Sequence, residues 1–402
     1  MNASDIAWLR TPEGERAVAR VEALLASMSE LAAIERLRRE FSVDEAGAAL
    51  ALAAGRRSAA SKFEDAARLF FDREAAEQAT SEVVARWTAR RFDGRRLVAD
   101  LGCGAGADAL AIAEHASVIA VDHDPTRLAM TAANATARGL AGRVEMVEAN
   151  VEGWEPPAGV EAVWLDPSRR DGRGRTLDPR RWSPRLERAL AIAARFDGAG
   201  IKLAPGIDVS LLPADCEVEF ISLAGRLVEA ACWLGALAGE ERRATRLPEG
   251  ASMAAPAEEQ LEACLDEPGR YLFDPDPAVG RAGLVRRLGA ELGAWQLDEQ
   301  LAFLSSDEAS ASVFVRRFRV IEWGPFSERV VLEAARRADS DRVEVMRRGS
   351  PIDTNALERR LNARLGDRGR GLETVRTVVL TRLRGEHVFL LVERERGADV
   401  PV

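Results

Sequence analysis

The segment VADLGCGAG at residues 98–106 constrains this chain more than any other, because an apolar run meets an acid and three spaced glycines there. Glycine has no Cβ, so the backbone can take positive φ angles and approach a ligand closely. The free N–H groups of a following helix would point to the same place. The pattern therefore predicts a buried strand that turns into a helix at a ligand site, with Gly102, Gly104 and Gly106 in the turn.

Glycine spacing alone leaves two cofactor classes open, since the looser dinucleotide-binding pattern allows Ala107 in place of its third glycine. Asp100 favours the other class, because its carboxylate would repel a pyrophosphate but could reach the ammonium group of S-adenosylmethionine directly or through water. The series Asp100-x-Gly102-x-Gly104-x-Gly106 resembles the first motif of class I S-adenosylmethionine-dependent methyltransferases. This resemblance implies S-adenosylmethionine as the cofactor and an α/β fold with a Rossmann-like seven-stranded sheet.

Two later strand ends extend this resemblance. Residues 117–121 form an apolar run that leads to Asp122, at the distance from the glycine turn where an acid meets the ribose hydroxyls in such folds. His123 either covers one face of the adenine or is a solvated loop residue. A third strand at residues 143–149 leads to Asn150. An Asp is commoner there in the methyltransferase family and contacts the adenine amino group, and the side-chain carbonyl of Asn150 can accept the same hydrogen bond.

Upstream, residues 63–92 are similar to the segment before the first strand in cap and RNA guanine-N2 methyltransferases. A Thr or Ser lies over the methionine carboxylate in those enzymes, which makes Gln78 and Thr80 candidates for cofactor binding. Thr80 is also a suitable N-cap for a helix, so both residues could serve the helix alone.

The fourth predicted strand, at residues 161–165, delivers Asp166, Pro167 and Ser168 to the carboxyl edge of the sheet, where open α/β sheets bind ligands. Methyltransferases that act on amines carry Asp or Asn, two prolines and an aromatic residue at this point. The side chain and a backbone carbonyl then accept hydrogen bonds from the target nitrogen. This chain keeps Asp166 and Pro167, whereas Ser168 and Arg169 replace the second proline and the aromatic residue. The resemblance implies that Asp166, Pro167 and Ser168 form the catalytic segment.

The aromatic partner for a flipped base must then come from elsewhere. Trp154, Trp164 and Trp182 are available, although we favour core packing for all three. The series Asp-Pro-Ser-Arg also looks like the corresponding motif of RNA uracil-C5 methyltransferases, which need a cysteine nucleophile after the fifth strand. Residues 200–206, the predicted fifth strand, contain no cysteine. Direct transfer to nitrogen needs only alignment of the lone pair with the methyl carbon and a nearby carboxylate.

Composition limits the other possibilities. With 402 residues the chain is too long for one core, so we expect two or three domains. The 4 cysteines form no CxxC pair and, with 3 histidines, offer neither a zinc site nor a disulfide framework. The first residues lack a charged-then-apolar leader, and no apolar run approaches the roughly 20 residues that cross a bilayer. We therefore expect no metal, no membrane and a cytoplasmic location.

The pattern along the chain divides it into four parts. Residues 1–74 predict a helical domain from their helical spacing of apolar residues, and one of its helices should end at Gly55. Residues 75–245 alternate strands and helices, and their last two strands suit the antiparallel sixth and seventh strands of methyltransferases. Residues 246–267 look like a linker. Residues 268–402 resemble the THUMP-like α+β domain at the carboxyl end of a bacterial methyltransferase family, although true THUMP domains, which bind RNA, usually precede their catalytic domain.

Arginines supply almost all of the positive charge. The net charge of −9 argues against indiscriminate binding of polyanions. Local clusters still favour phosphate contacts, and we expect substrate binding by these arginines: Arg169, Arg170, Arg173, Arg347 and Arg348. Arg316, Arg317 and Arg319 belong to the same basic surplus near the carboxyl end. Solvated side chains are the alternative at each of these positions.

Three functions remain open. The leading hypothesis is an S-adenosylmethionine-dependent methyltransferase that modifies transfer or ribosomal RNA at a base nitrogen, with Asp166 and the neighbouring backbone positioning the acceptor. The second is the same chemistry on a small molecule or a protein. The third is a non-catalytic RNA-binding module that keeps the cofactor fold, because the aromatic residue after Pro167 is missing.

Overall fold

The computed structural model describes residues 1–171, 174–256, 261–366 and 374–395. The chain divides into two compact units. Unit 1 contains Met1–Val218 and Glu229–Gly239, and unit 2 contains Glu219–Val228 and Glu240–Val402. The N-terminal helical segment and the candidate cofactor domain therefore share one unit, whereas the sequence analysis separates residues 1–74 from residues 75–245.

Unit 1 begins with helices, as the spacing of its apolar residues predicts. Before the first strand these are α1 (Ala3–Leu9), α2 (Pro12–Leu25), α3 (Glu30–Leu37), α4 (Val43–Ala59), α5 (Arg73–Gln78) and α6 (Glu82–Ala89). Polar caps start several of them, and in α4 the side chains of Ser42 and Glu45 each accept the other residue's backbone N–H. Val21 of α2, Leu37 of α3 and Leu52 of α4 share one apolar core.

Gly55 does not end a helix, and this prediction was wrong. The glycine lies inside α4. A Cβ at this position would lie 1.9 Å from the backbone oxygen of Phe71 and 2.9 Å from the carbonyl carbon of Asp72. Glycine is therefore needed for close packing of the following segment, and this packing outweighs the propensity cost of one helical glycine, about 1 kcal/mol.

The strands that follow in chain order are β1 (Leu97–Leu101), β2 (Ser117–Asp122), β3 (Val144–Glu148), β4 (Ala162–Leu165), β5 (Gly198–Leu203), β6 (Glu217–Leu223) and β7 (Arg226–Gly235). Within unit 1 they lie in the order β3-β2-β1-β4-β5-β7. All of these pairings are parallel except that of β5 with β7. The carboxyl ends of β1, β2 and β4 therefore meet at one edge, as a Rossmann-like α/β fold requires.

Helices cover this sheet and join it to the N-terminal segment. They are α7 (Ala107–Ala113), α8 (Pro125–Ala137) and α9 (Leu186–Ala193). Ile6 of α1 packs with Met130 and Ala133 of α8. This shared core explains why the helical segment and the sheet form one compact unit.

The tryptophans considered for base stacking lie in the interior of unit 1. Trp164 is 1% exposed, Trp182 is 3% and Trp154 is 8%. The ring of Trp164 lies 5.3 Å from that of Trp233, and a Cβ on Gly200 would lie 2.6 Å from Trp164. These rings therefore serve the core, and core packing was the correct interpretation.

A pair of strands that the sequence did not predict overlaps the start of the predicted linker, residues 246–267. β8 (Arg242–Leu247) and β9 (Ala251–Ala255) are antiparallel neighbours that follow the seven predicted strands. Pro248 and Gly250 lie in the turn between them, where Gly250 has a φ angle of +68°. Proline and glycine mark a tight turn as readily as a linker, so composition alone could not separate the two.

The rest of unit 2 is an α+β arrangement, as predicted for a THUMP-like domain. Its elements are β10 (Tyr271–Pro275), α10 (Pro277–Arg281), α11 (Val285–Leu292), β11 (Trp295–Gln296), β12 (Leu304–Ser306), β13 (Val315–Pro325), α12 (Glu328–Arg337), β14 (Arg342–Arg347), α13 (Thr354–Leu365), β15 (Val375–Leu383) and β16 (Glu386–Arg394). The sheet order is β11-β12-β10-β13-β16-β15-β14. Across the described ranges of both units, no helix combines the length and the hydrophobicity that a membrane span needs.

Candidate active site

A cleft of about 470 Å³ opens at the edge of the unit 1 sheet where β1, β2 and β4 end. It brings together most of the predicted site residues: Gln78, Thr80, Gly102, Gly104, Asp122, His123, Asn150, Asp166, Pro167, Ser168 and Arg169. Asp100 and Gly106 belong to the strand and the turn that build this edge. The sequence pattern therefore located one common site from segments far apart in the chain.

The glycine turn has the conformation that the sequence predicts. Gly102, Gly104 and Gly106 have φ angles of +87°, +54° and +87°. A Cβ on Gly102 would lie 2.9 Å from the backbone oxygen of Asp166, whereas a Cβ on Gly104 would meet no atom within 4 Å. Gly102 is thus required by the close approach of the Asp166 backbone, while Gly104 borders open space in the cleft wall.

Asp122 is held in place by the backbone around it. Its Oδ2 accepts a hydrogen bond from the N–H of Gly104 at 3.0 Å, and its Oδ1 accepts one from the N–H of Asp124 at 3.0 Å. Each oxygen keeps a further lone pair for a ligand. The side chain of His123 is 85% exposed, with Nδ1 at 3.4 Å from Asp122. Asp122 therefore fastens the glycine turn and is oriented to accept hydroxyl groups, and its contact with a ribose stays a prediction.

Asp100 is a buried acid whose carboxylate has no hydrogen-bond partner among the described residues. It is 0% exposed, and its carboxylate oxygens accept no hydrogen bond from the residues that the structure describes. Burial raises the pKa of Asp100 well above its ordinary value, and the neighbouring Asp108 and Asp166 raise it further. A buried carboxylate is unfavourable unless a cation or a hydrogen-bond donor completes it. The site therefore fits a positively charged ligand better than a phosphate.

Lys202, which the sequence analysis did not select, connects the polar side chains of the cleft. It lies in β5 and is 6% exposed. Its Nζ donates hydrogen bonds to Thr80 Oγ1 at 2.5 Å, to Asp108 Oδ2 at 3.0 Å and to Asp166 Oδ2 at 2.9 Å. Glu229 Oε2 lies 3.8 Å from the same nitrogen. Burial disfavours the charge of Lys202, but these acids outweigh burial and raise the pKa of the ammonium group.

Thr80 has a different role from the predicted helix cap. Ser81 occupies the N-cap position of α6. The Thr80 hydroxyl donates to Asp108 Oδ2 at 2.8 Å and accepts from Lys202. The residue is 7% exposed, so its hydroxyl belongs to the buried polar network rather than to the helix start.

Lys62, the other lysine of the chain, holds the segment that leads to Thr80. Its Nζ donates to the backbone oxygens of Ala76, Glu77 and Ala79 at 2.9, 2.7 and 2.8 Å. These carbonyls lie at the C-terminal end of α5, where backbone acceptors lack helical partners and a cation is favourable. Lys62 therefore shapes the wall of the cleft without lining it.

Gln78 and Asn150 lie exposed at the margin of the cleft. The side-chain amide of Gln78 donates to Glu74 Oε1 at 3.0 Å. Asn150 Oδ1 accepts the N–H of Glu152 at 2.9 Å. Both residues keep hydrogen-bonding capacity for a ligand, so their cofactor contacts remain predictions.

The predicted catalytic segment follows β4. The side chain of Asp166 is 30% exposed, with Oδ2 bound to Lys202. Within the described part of the chain, the side-chain contacts of Asp166 are made through Oδ2 and not through Oδ1. Ser168 pairs with Ser183 through two backbone hydrogen bonds of 2.8 and 2.9 Å. The segment is therefore anchored on both sides of the buried Pro167, whereas the side chain of Arg170 and all of Arg173 lie outside the described residues.

The predicted substrate arginines of unit 2 are engaged inside that unit. Arg347 donates to the backbone oxygens of Ser350 and Ile352. Arg348 Nη2 lies 2.8 Å from Asp274 Oδ1, and its guanidinium lies over the ring of Phe303. Other arginines of the basic surplus pair in the same way: Arg316 with Asp274, Arg317 with Glu395 and Arg319 with Glu393. These contacts need no phosphate, so substrate binding by Arg347 and Arg348 stays a prediction.

Sequence analysis missed Lys202 and Asp108 because each is a single charge in an apolar run. Lys202 stands in GIKLAPG and Asp108 in AGADALAIA. A charge inside a run that predicts a buried element is itself a signal, since buried charges need partners. In the described residues, His, Cys, Asp and Glu side chains form no group of three or more that could hold a metal ion.

Comparisons with known proteins identify the class of protein. A family model described as a methyltransferase domain matches residues 98–166, one described as THUMP domain-like matches residues 315–394, and a domain of unknown function matches residues 2–59. Two curated proteins of Mycobacterium tuberculosis, from strains CDC 1551 and H37Rv, are each 38% identical over 305 residues, which is 74% of this chain and 81% of theirs. Both are described as uncharacterized S-adenosylmethionine-dependent methyltransferases. A solved structure from Porphyromonas gingivalis W83, assigned as a methyltransferase, shares the fold with a TM-score of 0.74 at 19% identity, covering 95% of this chain and 99% of that one.

The fold and the cleft define a class I S-adenosylmethionine-dependent methyltransferase with a carboxyl-terminal THUMP-like domain. The chain belongs to the same S-adenosylmethionine-dependent methyltransferase family as the two mycobacterial proteins. This confirms the predicted class and cofactor over the dinucleotide alternative. The residues present fit that cofactor, because the buried carboxylate of Asp100 accepts no hydrogen bond from the described residues, Gly104 borders open space and Asp122 offers two fixed acceptors.

Proposed function

We propose that this methyltransferase acts on a nitrogen of an RNA base. The observation that supports it most is the arrangement of Asp166: its Oδ2 is bound by Lys202 at 2.9 Å, its side chain is 30% exposed at the cleft, and the contacts found among the described residues do not use its Oδ1. A carboxylate oxygen can only accept hydrogen bonds, so it selects an N–H or O–H group. An amino group of a base offers such a donor next to the lone pair that takes the methyl group.

The chain's residues would position the acceptor rather than activate it. S-adenosylmethionine supplies a methyl group on a sulfonium, which is reactive enough for direct transfer to nitrogen. Asp166 would hold one N–H so that the nitrogen lone pair faces the methyl carbon, and alignment of this kind supplies a large part of such rate enhancements. The C–N bond forms as the C–S bond breaks, the bonding pair stays on sulfur, and the nitrogen then releases one proton to water.

The choice of RNA is supported by the carboxyl-terminal domain. Its match at residues 315–394 is THUMP domain-like, and true THUMP domains bind RNA. The side chains of Arg316 and Arg319 are 52% and 50% exposed although each is paired with an acid. An exposed paired arginine keeps donors that can contact a phosphate. Transfer or ribosomal RNA as the acceptor would place the enzyme in the cytoplasm.

The test compares modified nucleosides from a deletion strain, its parent, and the deletion strain that carries either the wild-type gene or an Asp166→Ala gene. Mass spectrometry should show one methylated base nucleoside that disappears on deletion and returns only with the wild-type gene. Identical nucleoside profiles in all strains would overturn RNA as the acceptor.

A second arm tests the alternative acceptors. Purified enzyme and S-adenosylmethionine labelled in the methyl group are added to an extract of the deletion strain, which is then separated into RNA, protein and small molecules. We expect the label in RNA. Label in the protein or small-molecule fraction would replace RNA by that acceptor class.

A further inference from the structure

We infer that Lys202 is a positioning residue for methyl transfer, which ties the segment beside the cofactor to the carboxylate that orients the acceptor. The inference rests on the proposed role of Asp166. Lys202 touches neither reactant in this account, because its three ammonium protons are taken by Thr80, Asp108 and Asp166. It would act through the side chains that it holds.

The three partners of Lys202 come from different parts of unit 1. Thr80 precedes α6, Asp108 lies in the first turn of α7, and Asp166 follows β4. Thr80 and Asp108 are also joined by their own hydrogen bond of 2.8 Å. One ammonium group therefore fixes the distance between the segment that follows Gln78, the helix that follows the glycine turn and the acceptor carboxylate.

The choice of lysine supports a geometric role. The chain has 56 Lys and Arg residues, of which only Lys62 and Lys202 are lysines. Both hold the same stretch of chain, Lys62 through the backbone oxygens of Ala76, Glu77 and Ala79, and Lys202 through Thr80. An ammonium group gathers three acceptors around one point, whereas a planar guanidinium spreads its donors in a fork. A chain that uses arginine almost everywhere else keeps lysine where three acceptors converge.

Loss of Lys202 would have two effects together. Thr80 and Asp166 would lose their common anchor, and Asp108, Asp166 and Glu229 would remain as neighbouring acids without the cation between them. Misplacement of a reacting group by about 1 Å can cost roughly a hundredfold in rate. Loss of Lys62 would loosen only the backbone before Thr80.

Lys62→Met is therefore the matched control for Lys202→Met. Kinetics use methyl-labelled S-adenosylmethionine with the fraction of the deletion-strain extract that the wild-type enzyme labels. We expect Lys202→Met to lower kcat about a hundredfold, and Lys62→Met to raise KM for S-adenosylmethionine with kcat within about threefold of wild type. Lys202→Arg keeps the positive charge, but its planar guanidinium cannot bind three acceptors around one point. The kcat of Lys202→Arg should therefore exceed that of Lys202→Met by less than about tenfold.

Hydrogen exchange provides a readout that needs no acceptor. In Lys202→Met, peptides that contain residues 76–82 and residues 166–168 should both exchange faster, whereas Lys62→Met should affect only the first. Thr80→Val removes one of the three bonds and is a milder variant if Lys202→Met does not fold. It should speed exchange at residues 76–82 and lower kcat by less than Lys202→Met does.

Two results would overturn the inference: a kcat of Lys202→Met that matches that of Lys62→Met, or unchanged exchange at residues 166–168 in Lys202→Met. If Lys202→Met does not fold, a Thr80→Val variant with unchanged hydrogen exchange and unchanged kcat would also overturn the inference. Label in a fraction other than RNA would overturn RNA as the acceptor. The kinetics of the Lys202 variants would then be measured with that labelled fraction. Should no fraction be labelled, the exchange experiment decides alone.

Discussion

Two clusters of buried acids, one around Lys202 in unit 1 and one around Asp274 in unit 2, are neutralised in opposite ways. In unit 1, the single cation of Lys202 is bound to both Asp108 and Asp166, and Asp100 remains without a partner among the described residues. In unit 2, two arginines, Arg316 and Arg348, pair with the one carboxylate of Asp274, which is 2% exposed. The cluster around Lys202 has more acids than cations, and the cluster around Asp274 has more cations than acids.

The difference separates a site from a structural ion pair. Burial of a carboxylate without a partner costs folding free energy, and proteins keep such groups mainly where a ligand or a reaction uses them. The Asp274 cluster is completed by the fold, and Arg348 also donates to the backbone oxygen of Pro275 and lies over the ring of Phe303. We expect a cationic ligand to complete the unit 1 cluster, and S-adenosylmethionine carries a positive charge on its sulfonium and ammonium groups.

The largest effect on cofactor binding is expected from Asp122→Ala. The variant removes two acceptors for hydroxyl groups and also releases the N–H of Gly104. Hydrogen bonds to a charged group contribute about 1.5 to 3 kcal/mol each, so the Kd for S-adenosylmethionine should rise at least about a hundredfold. Titration calorimetry measures this, and a Kd within threefold of wild type would contradict the assignment of Asp122.

A smaller effect is expected from Gly104→Val. The new side chain would enter the open space beside Gly104 and would also strain a backbone with a φ angle of +54°. Gly139→Val is the control for strain, because Gly139 has a φ angle of +73°, also borders open space and does not line the cleft. Strain and lost space together should weaken S-adenosylmethionine binding about tenfold or more in Gly104→Val. Equal Kd values in the two variants would mean that the cofactor does not approach Gly104.

We expect Asp100 to make cofactor binding depend on pH. Because burial raises its pKa, Asp100 is protonated at low pH, and only the ionised form attracts a cation. Binding of the cation therefore releases a proton, and affinity should rise with pH by at most about tenfold per pH unit until Asp100 is ionised in the free protein. Calorimetry across a pH series should show this slope in the wild type and a flat response in Asp100→Asn. The same slope in both proteins would assign the proton to another group.

The smallest effect on the cleft is expected from a substitution in the Asp274 cluster of unit 2. Asp274→Ala leaves Arg316 and Arg348 without their acid, but their side chains are 52% and 29% exposed and can reach water. We expect a loss of about 1 to 2 kcal/mol in the stability of unit 2, measured by denaturant unfolding, with the Kd for S-adenosylmethionine unchanged. A weaker Kd would show that the two clusters are not independent.

The sequence predicted the parts of the site that are local. The glycine turn, Asp122 and Asp166 could be found because each follows an apolar run at a strand end, and the sheet brings such ends to one edge. The paired state of Lys202 could not be found in this way, because its partners Thr80 and Asp108 are 122 and 94 positions away. Only the packed structure shows that they converge.

The fold predictions that were wrong failed for the same reason. Gly55 stops a helix in an isolated segment, but the approach of the Phe71 backbone makes it part of a packed helix. Pro248 and Gly250 suit a linker by composition, but β8 and β9 pair across them. Local preference is a weak guide wherever a tertiary contact uses the same residue for another purpose.

The rarity of lysine gives the cleft a spectroscopic use. Reductive methylation with ¹³C-formaldehyde attaches labelled methyl groups to amines, and Lys62 and Lys202 are the two lysine targets in the sequence. Reductive methylation requires the deprotonated amine, and the Nζ of Lys202 is buried and donates to three acceptors whose acids raise its pKa. The growth of its NMR signal would therefore report how often Lys202 is released from these acceptors, and Lys62, whose pKa burial lowers, should be labelled faster.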